Sequence, residues 1–350
     1  MGHLNKKNPL SLQLNADDFL PASQEEKQSL VVMRDSVNFW KDGLRRLRKN
    51  KIAMVSLVVI ILIAIFAYVL PAVWPYAYDE QIKYSENLAP FEYGKKELER
   101  IEAGEDVFPH ILGTDRNGRD FAVRLMMGTR ISLSVGLLAS VLVLIIGATY
   151  GAVSAFAGGW VDLIMMRITD ILNTIPDILL IILLGTALKD PLAQLAEQPG
   201  FDWMQKLGPN MISIFIIFAL LYWVGMARIV RSQVLTLKES EYVTAARALG
   251  ASNGRIIKRH LLTNCIGTLI VTTTLQIPSS IFTESYLSFL GLGVAAPMPS
   301  LGSLATDAVS GMNTYPHRLL APALMISVMI LVFNLLGDGL RDAFDPKLKN

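Results

Sequence analysis

Cysteine occurs once, at Cys265, and histidine four times in the 350 residues. A lone thiol excludes an internal disulfide framework and any zinc site built from cysteines. The histidines, His3, His110, His260 and His317, are scattered without ligand spacing. Charge is scarce as well. Asp, Glu, Lys and Arg make up 18% of the chain against 52% hydrophobic residues, and the net charge is +2. A balance so near neutral offers no general attraction to nucleic acid, so only the local distribution of charge informs. No GxxxxGK[ST] phosphate loop, HExxH pair or GxSxG elbow occurs, which excludes ATP binding and hydrolytic chemistry by those routes.

What the chain has in abundance is uninterrupted apolar sequence. A helix needs roughly 20 apolar residues to cross the hydrocarbon layer. Five windows of about that size or longer carry no charge: Ile52 to Tyr78, Ile131 to Val161, Leu207 to Ala227, Leu261 to Thr283 and Leu319 to Gly337. A sixth apolar segment, Trp160 to Leu188, carries Asp162, Arg167, Asp170 and Asp177. Soluble cores are not built from five such runs, so the sequence predicts an all-α membrane protein with six transmembrane helices. The first run begins some 50 residues in and is too long for the core of a cleavable signal, so it is expected to remain as an anchor.

Basic residues set the expected orientation. Lys41, Arg45, Arg46, Arg48, Lys49 and Lys51 precede the first run, which places the N-terminus in the cytoplasm. Six crossings return the C-terminus to the same side. The segment between the fourth and fifth spans, with Arg231, Lys238, Arg247, Arg255, Lys258 and Arg259, is then cytoplasmic too. The long, mixed-charge segment 79–130 is expected outside, since long loops cross regardless of charge.

Within that fourth-to-fifth segment lies "EYVTAARALGASNGRIIKRHLLTN", residues Glu241 to Asn264. It has the look of a DNA-binding helix-turn-helix, but a reading helix tied to a bilayer at both ends is badly placed for a duplex groove. Glu241, Thr244, Ala245 and Ala246 fall in a short helix, with Ala245, Ala246 and Ala248 as its small residues. Gly250 suits the left-handed position that ends it, Ala251 follows, and Ser252 can cap the next helix. Ile256, Ile257, His260 and Leu261 then form an apolar stripe. On these residues alone two readings stand: a compact knob that enters a partner's groove, or a hairpin lying on the membrane with its basic residues at the headgroups.

The same residues resemble the "EAA" motif of permease subunits in ATP-binding-cassette importers: Ala245-Ala246, three residues, Gly250, then His260-Leu261-Leu262. Thr244 stands where the motif's name has Glu, and Thr263 where Pro is usual. "HILGTDRNGRD" with "RLMMGTRISLSVGLLA", "TESYLSFLGLG" and "NLLGDGLRDAFDP" are similar to the C-type permease of oligopeptide and dipeptide importers. The resemblance spans most of residues 40 to 346. It implies a type I importer permease-like bundle and no catalysis or cofactor in the chain itself, ATP being bound and hydrolysed by partner subunits. It implies a heterodimer with a second permease, two cytoplasmic ATPases, an extracytoplasmic solute-binding protein and a peptide substrate, all in a bacterial or archaeal cell membrane. Residues 241, 244–246 and 250–252 would form the coupling loop that docks on an ATPase. Nickel, glutathione or another small solute remains open as the cargo, and an ion-coupled secondary transporter is the rival from another class.

On this reading the chain divides into a cytoplasmic tail (1–51), a first transmembrane helix (52–78), an extracytoplasmic loop (79–130), a core of five helices (131–340) with its cytoplasmic loop at 231–262, and a tail (341–350). Ionisable groups at bilayer depth are costly and face protein or a water-filled path. In the expected third span Asp170 and Asp177 are two turns apart, hence on one face, and Arg167 lies three before Asp170. They either fix packing as an internal ion pair or, for Asp177 beside Pro176, line the path. Pro176 and Pro278 are expected to bend their spans. Glu284 and Asp338 read as residues at span ends, satisfied by water or backbone. In the long loop, "KKELERIEA" has helical composition with opposite charges at helical spacing, bracketed by Pro90, Gly94, Gly104 and Pro109.

Overall fold

The computed structural model describes residues 39–294 and 298–344. Most of the N-terminal tail and residues 345–350 of the C-terminal one lie outside the described residues. Helix α1 is Phe39–Lys49. Asn50 then breaks the path with extended geometry, and its side chain accepts the Ala53 N–H at 3.2 Å, which starts α2 at Lys51. Helix α2, Lys51–Val73, includes a wider turn at Ile65–Val69 and ends at Trp74 in extended conformation. It stops before Tyr78, the end of the charge-free window.

The long loop follows and carries helix α3, Lys95–Glu102. Gly104, at φ +88°, closes it: its N–H donates to Ile101 O, and the Glu105 N–H donates to Arg100 O. That pair of bonds is the Schellman end that a left-handed glycine permits. Helix α4, Phe121–Ala157, starts ten residues earlier than the expected loop boundary at 130. The cause is Asp120, whose side chain accepts the Val123 N–H at 2.9 Å and so nucleates the helix before the apolar run begins. At about 1.5 Å per residue α4 reaches about 55 Å, well beyond a hydrocarbon layer of about 30 Å.

The expected third span needs the largest correction. The window from Trp160 to Leu188 is two helices, α5 (Gly159–Thr174) and α6 (Asp177–Ala196). Ile175, immediately before Pro176, is extended at ψ 132°, the conformation that proline forces on its predecessor. Pro176 therefore separates two helices rather than bending one, and the spanning helix is Asp177–Ala196. Helix α7, Asp202–Leu207, leads to α8, Pro209–Leu237, which carries a wide turn at Phe218–Tyr222. Helix α9 is Glu241–Ala248, and α10 runs over 253–264 with a wide turn at Ile257–Leu261. Helices α11 (Ile266–Phe289), α12 (Leu301–Val309) and α13 (Pro316–Phe344) complete the described chain.

Six of these helices, α2, α4, α6, α8, α11 and α13, are long and apolar enough to cross a membrane. Among the described residues there is no strand, only an isolated bridge between Thr114 and Asp120. Helix α4 is central. Its first half packs with α2, α11, α12 and α13 around Leu133, Ile281, Leu304 and Phe333. Its middle meets α6 and α8 around Val135, Ile181 and Ile214. Gly147 and Gly151, one turn apart, let α4 and α8 approach closely. A Cβ added at Gly147 would fall 2.6 Å from Met226 Cβ and 2.8 Å from Trp223 O, the small-residue packing by which membrane helices gain dispersion contact. Ile52, Val55, Val58 and Ile61 of α2 and Leu320, Leu324 and Leu331 of α13 are exposed. Such apolar faces suit hydrocarbon, not water.

Candidate functional site: an elbow between two spanning helices

The elbow is built from α9, the turn after it and α10. Val243 and Ala246, three residues apart on one face of α9, are buried. They join Ala152 and Ala155 of α4, Val230 and Val234 of α8, and Ile256, Leu261 and Cys265 in one cluster. The opposite face of α9 is free: Glu241, Thr244, Ala245 and Ala248 are exposed. So the two alanines of the Ala245-Ala246 pair separate, one facing solvent and one facing the core. Arg247 lies over the Phe156 ring at 5.0 Å, and Asn264 Nδ2 donates to Tyr242 Oη at 3.2 Å. The first ties the elbow to α4, and the second ties its two helices together.

Gly250 ends α9 as its sequence predicts. At φ +81° it donates to Arg247 O at 2.9 Å, and Ala251 donates to Ala246 O at 3.0 Å. Ser252 occupies the capping position of α10 in extended conformation, but its contribution is the carbonyl, which accepts from the Ile256 N–H at 3.0 Å; its hydroxyl makes no cap bond. With Thr263 in place of proline the helix continues. A wide turn absorbs the change of direction, and Cys265 marks the entry to α11. The residue that sequence reasoning missed is Leu249, which is 88% exposed at the outermost point of the turn. The signal is its place rather than its helical phase: it is the residue just past the end of α9 and just before the left-handed Gly250.

The charges of α5 pair with α8, the helix that leads into the elbow. Asp162 accepts two bonds from Arg231, Nε and Nη2 both at 2.6 Å, and a third from Ser154 Oγ at 2.5 Å. Lys238 Nζ donates to Ala155 O at 3.1 Å, near the C-terminus of α4. Asp170 meets Arg228 at 2.9 Å and Arg167 at 3.6 Å, with all three exposed. Asp177 lies beyond the break at Pro176, so the expected common face with Asp170 does not exist. The paired Asp162–Arg231 fork fixes α5 to α8. Replacing Asp162 with Asn is expected to lower stability in detergent by about 2 kcal/mol, since a charge-assisted, partly buried bond is lost. The swapped pair Asp162→Arg with Arg231→Asp should recover part of the loss; thermal unfolding of the single and double variants checks the coupling.

Glu284 also departs from expectation. It is not a water-exposed residue at a span end but fully buried. Ser132 Oγ donates to it at 2.6 Å and Ser288 Oγ at 2.7 Å, while the Leu301 N–H donates to Ser132 Oγ at 3.2 Å. The carboxyl thus joins α4, α11 and the start of α12 through hydroxyls, which satisfies a polar group that lipid cannot.

In the long loop, His110 is buried between two carboxylates: Nδ1 is 2.7 Å from Asp120 and Nε2 2.8 Å from Glu97. Burial disfavours the imidazolium, but the bonds to Asp120 and Glu97 outweigh it and push the pKa up to about 9. Glu97 is held low although burial opposes it, by His110 and by the Gly94 N–H. Sequence spacing gave no hint of this group, because its three members come from one loop position and two helix starts.

Residues 144–350 match the family model "Binding-protein-dependent transport system inner membrane component", and residues 38–90 match "N-terminal TM domain of oligopeptide transport permease C". The chain is 40% identical over 331 residues to the oligopeptide transport system permease protein OppC of Bacillus subtilis (strain 168), covering 95% of this chain and 97% of that protein. It is 38% identical over 335 residues to the dipeptide transport system permease protein DppC of the same organism, covering 95% and 94%. It is 38% identical over 344 residues to OppC of Escherichia coli (strain K12), covering 98% and 99%. With six spanning helices and a packed elbow between the fourth and fifth, the chain belongs to the family of inner membrane components of binding-protein-dependent transport systems.

Proposed function

We propose that this chain is one permease half of an ATP-driven importer of oligopeptides or dipeptides, and that its elbow receives the motion of a cytoplasmic ATPase. The observation that carries the docking role is the elbow's two-sidedness. Its inner face is welded to α4 and α8, while Leu249 and Gly250 stand outward, and among the described residues beyond its chain neighbours nothing lies within 4 Å of a Cβ added at Gly250. An exposed leucine on a rigid turn is an anchor for a groove rather than for a headgroup layer, where the basic residues would lead. Glu241, Thr244, Ala245, Gly250, Ala251 and Ser252 would line the contact, with Ala246 as its buried support.

On this reading the basic residues before α2 and in the elbow put both termini and the elbow in the cytoplasm. A second permease completes the pathway as a heterodimer, two ATPases bind below, and a solute-binding protein delivers the peptide from outside. The chain itself needs no cofactor. Closure of the ATPase pair moves the elbow, and because the elbow shares a core with α4 and α8, those helices tilt as rigid bodies to alternate access. Arg167, Asp170 and Asp177 are exposed in this chain, which leaves them available to the path or to the second permease. Glu284, enclosed by serines, holds packing instead.

The test is co-purification and uptake. The chain, expressed with its partner subunits, is expected to retain the ATPase and to support ATP-dependent peptide uptake in vesicles. Leu249→Asp should reduce ATPase retention at least tenfold without changing membrane insertion. Retention equal to that of the unaltered chain would remove the docking role.

A further inference from the structure

A cavity of about 90 Å³ lies between the long loop and the corner formed by α12 and α13. Asn87, Asp115, Arg116, Arg119, Asp307 and Arg318 supply its polar lining. The volume is several times that needed by one water. The charges do not balance. Asp115 is already committed: it accepts Arg119 Nε at 2.7 Å and the N–H groups of Asn117 and Arg119 at 2.8 and 3.0 Å. Arg124 Nε is also 3.4 Å from it, outside hydrogen-bonding geometry. Asp307 is reached only at long range, 3.9 Å from Arg116 and 4.0 Å from Arg124. Four guanidinium groups thus share two carboxylates.

Arg318 is the least satisfied of them. It is only 7% exposed, and among the described residues no carboxylate pairs with it. Nη1 donates to Asn87 Oδ1 at 2.7 Å, and the guanidinium lies 4.0 Å over the Tyr315 ring. Among the described residues Nε and Nη2 have no hydrogen-bond partner. A cation over an aromatic face is stabilised there, but its edge N–H groups still lack acceptors, and an unmet buried charge costs more than any other unmet group. A planar fork of donors matches the oxygen spacing of carboxylate and phosphate.

We propose that this cavity is a binding site for a small oxyanion, with Arg318 as its principal donor and Arg116 and Arg119 completing the positive wall. Tyr315 holds the guanidinium plane and Asn87 fixes one corner, so the remaining edge is presented to the anion. The site is separate from the elbow and does not depend on the reading of the elbow. Its chemistry fits the phosphate of a lipid headgroup or a free phosphate ion.

The experiment uses the full chain purified in a phosphate-free maltoside detergent. Inorganic phosphate is titrated by calorimetry at constant ionic strength against chloride, and phosphatidylglycerol is titrated by native mass spectrometry. Saturable binding of at least one probe is expected, weakened at least tenfold by Arg318→Gln. Asn87→Asp, which sets a carboxylate against Arg318 without removing it, should weaken binding similarly and guards against misfolding of the first variant. Arg45→Gln, on α1 and outside the cavity's lining, should bind as the unaltered chain does. Binding of free phosphate assigns a soluble anion, and binding of phosphatidylglycerol alone assigns a headgroup. No saturable binding of either probe, or undiminished binding by both Arg318→Gln and Asn87→Asp, would overturn the site, leaving water as the cavity's content.

Discussion

Gly250→Arg is expected to abolish ATP-dependent uptake while the chain still inserts and folds. Gly250 needs a left-handed backbone, φ +81°, which costs an ordinary residue about 1–2 kcal/mol. That cost is modest and local, because a Cβ at this position meets no described residue beyond its chain neighbours within 4 Å. The core beneath, from Val243 and Ala246 to Ile256 and Leu261, is untouched. An arginine therefore does most of its damage outside the chain, by filling the space a docked ATPase would use. Gly250→Asn separates the two effects, since asparagine tolerates the left-handed region and adds a smaller side chain. It should keep stability near that of the unaltered chain and lose uptake only in part. Thermal unfolding, ATPase co-purification and vesicle uptake, measured on all three chains, decide the matter. Full uptake by Gly250→Arg would sink the coupling role.

His110→Ala is expected to loosen the long loop by about 3 kcal/mol, the scale for removing one member of a buried ionic group. Both ring nitrogens face carboxylates, so both must carry protons and the ring is an imidazolium. Its loss leaves Glu97 and Asp120 buried without their shared cation. The first supports the start of α3 through the Gly94 N–H, the second the start of α4 through the Val123 N–H. Trp74 Nε1 also donates to Asp120 at 3.2 Å, and Tyr76 stacks on the His110 ring at 4.5 Å. Burial first, then Glu97 and Asp120, push the Tyr76 phenol above its ordinary range, so it stays neutral and adds no competing charge.

The His110 pKa is raised from 6.5 to about 9 by folding, so its contribution is complete below about 6.5 and is lost as pH rises through about 9. Glu97 is shifted the other way. Its contribution holds above the ordinary carboxylate range and disappears as pH falls through its lowered value. Protection of the loop's amides against hydrogen exchange, corrected for the intrinsic rate, should fall between pH 6.5 and 9 in the unaltered chain. His110→Gln should flatten that window. A loop whose protection is flat across it in both chains would argue against the charged triad.

Much of the architecture could be read from residue order because the bilayer imposes a one-dimensional rule: a helix that crosses it must be apolar for about 20 residues wherever its neighbours lie. That rule found six spans and the region between the fourth and fifth. Local chemistry added the ends of α9 and α3, where Gly250 and Gly104 hold the left-handed position. The same local chemistry, applied more strictly, would have separated α5 from α6, since Pro176 restrains Ile175 whatever surrounds it. Counting Asp170 and Asp177 along one continuous helix ignored that restraint.

Residue order alone thus decided the number of spans and the elbow's Gly250. Tertiary structure alone decided which alanine of the 245–246 pair is buried, that Asp162 pairs with Arg231 sixty-nine positions away, that Glu284 is enclosed by serines from two helices, and that Arg318 keeps unmet donors beside a cavity. The reason is range. Hydrophobic length and backbone conformation are properties of neighbouring residues, whereas the satisfaction of a buried charge depends on groups brought within about 3 Å only after helices distant in sequence have packed.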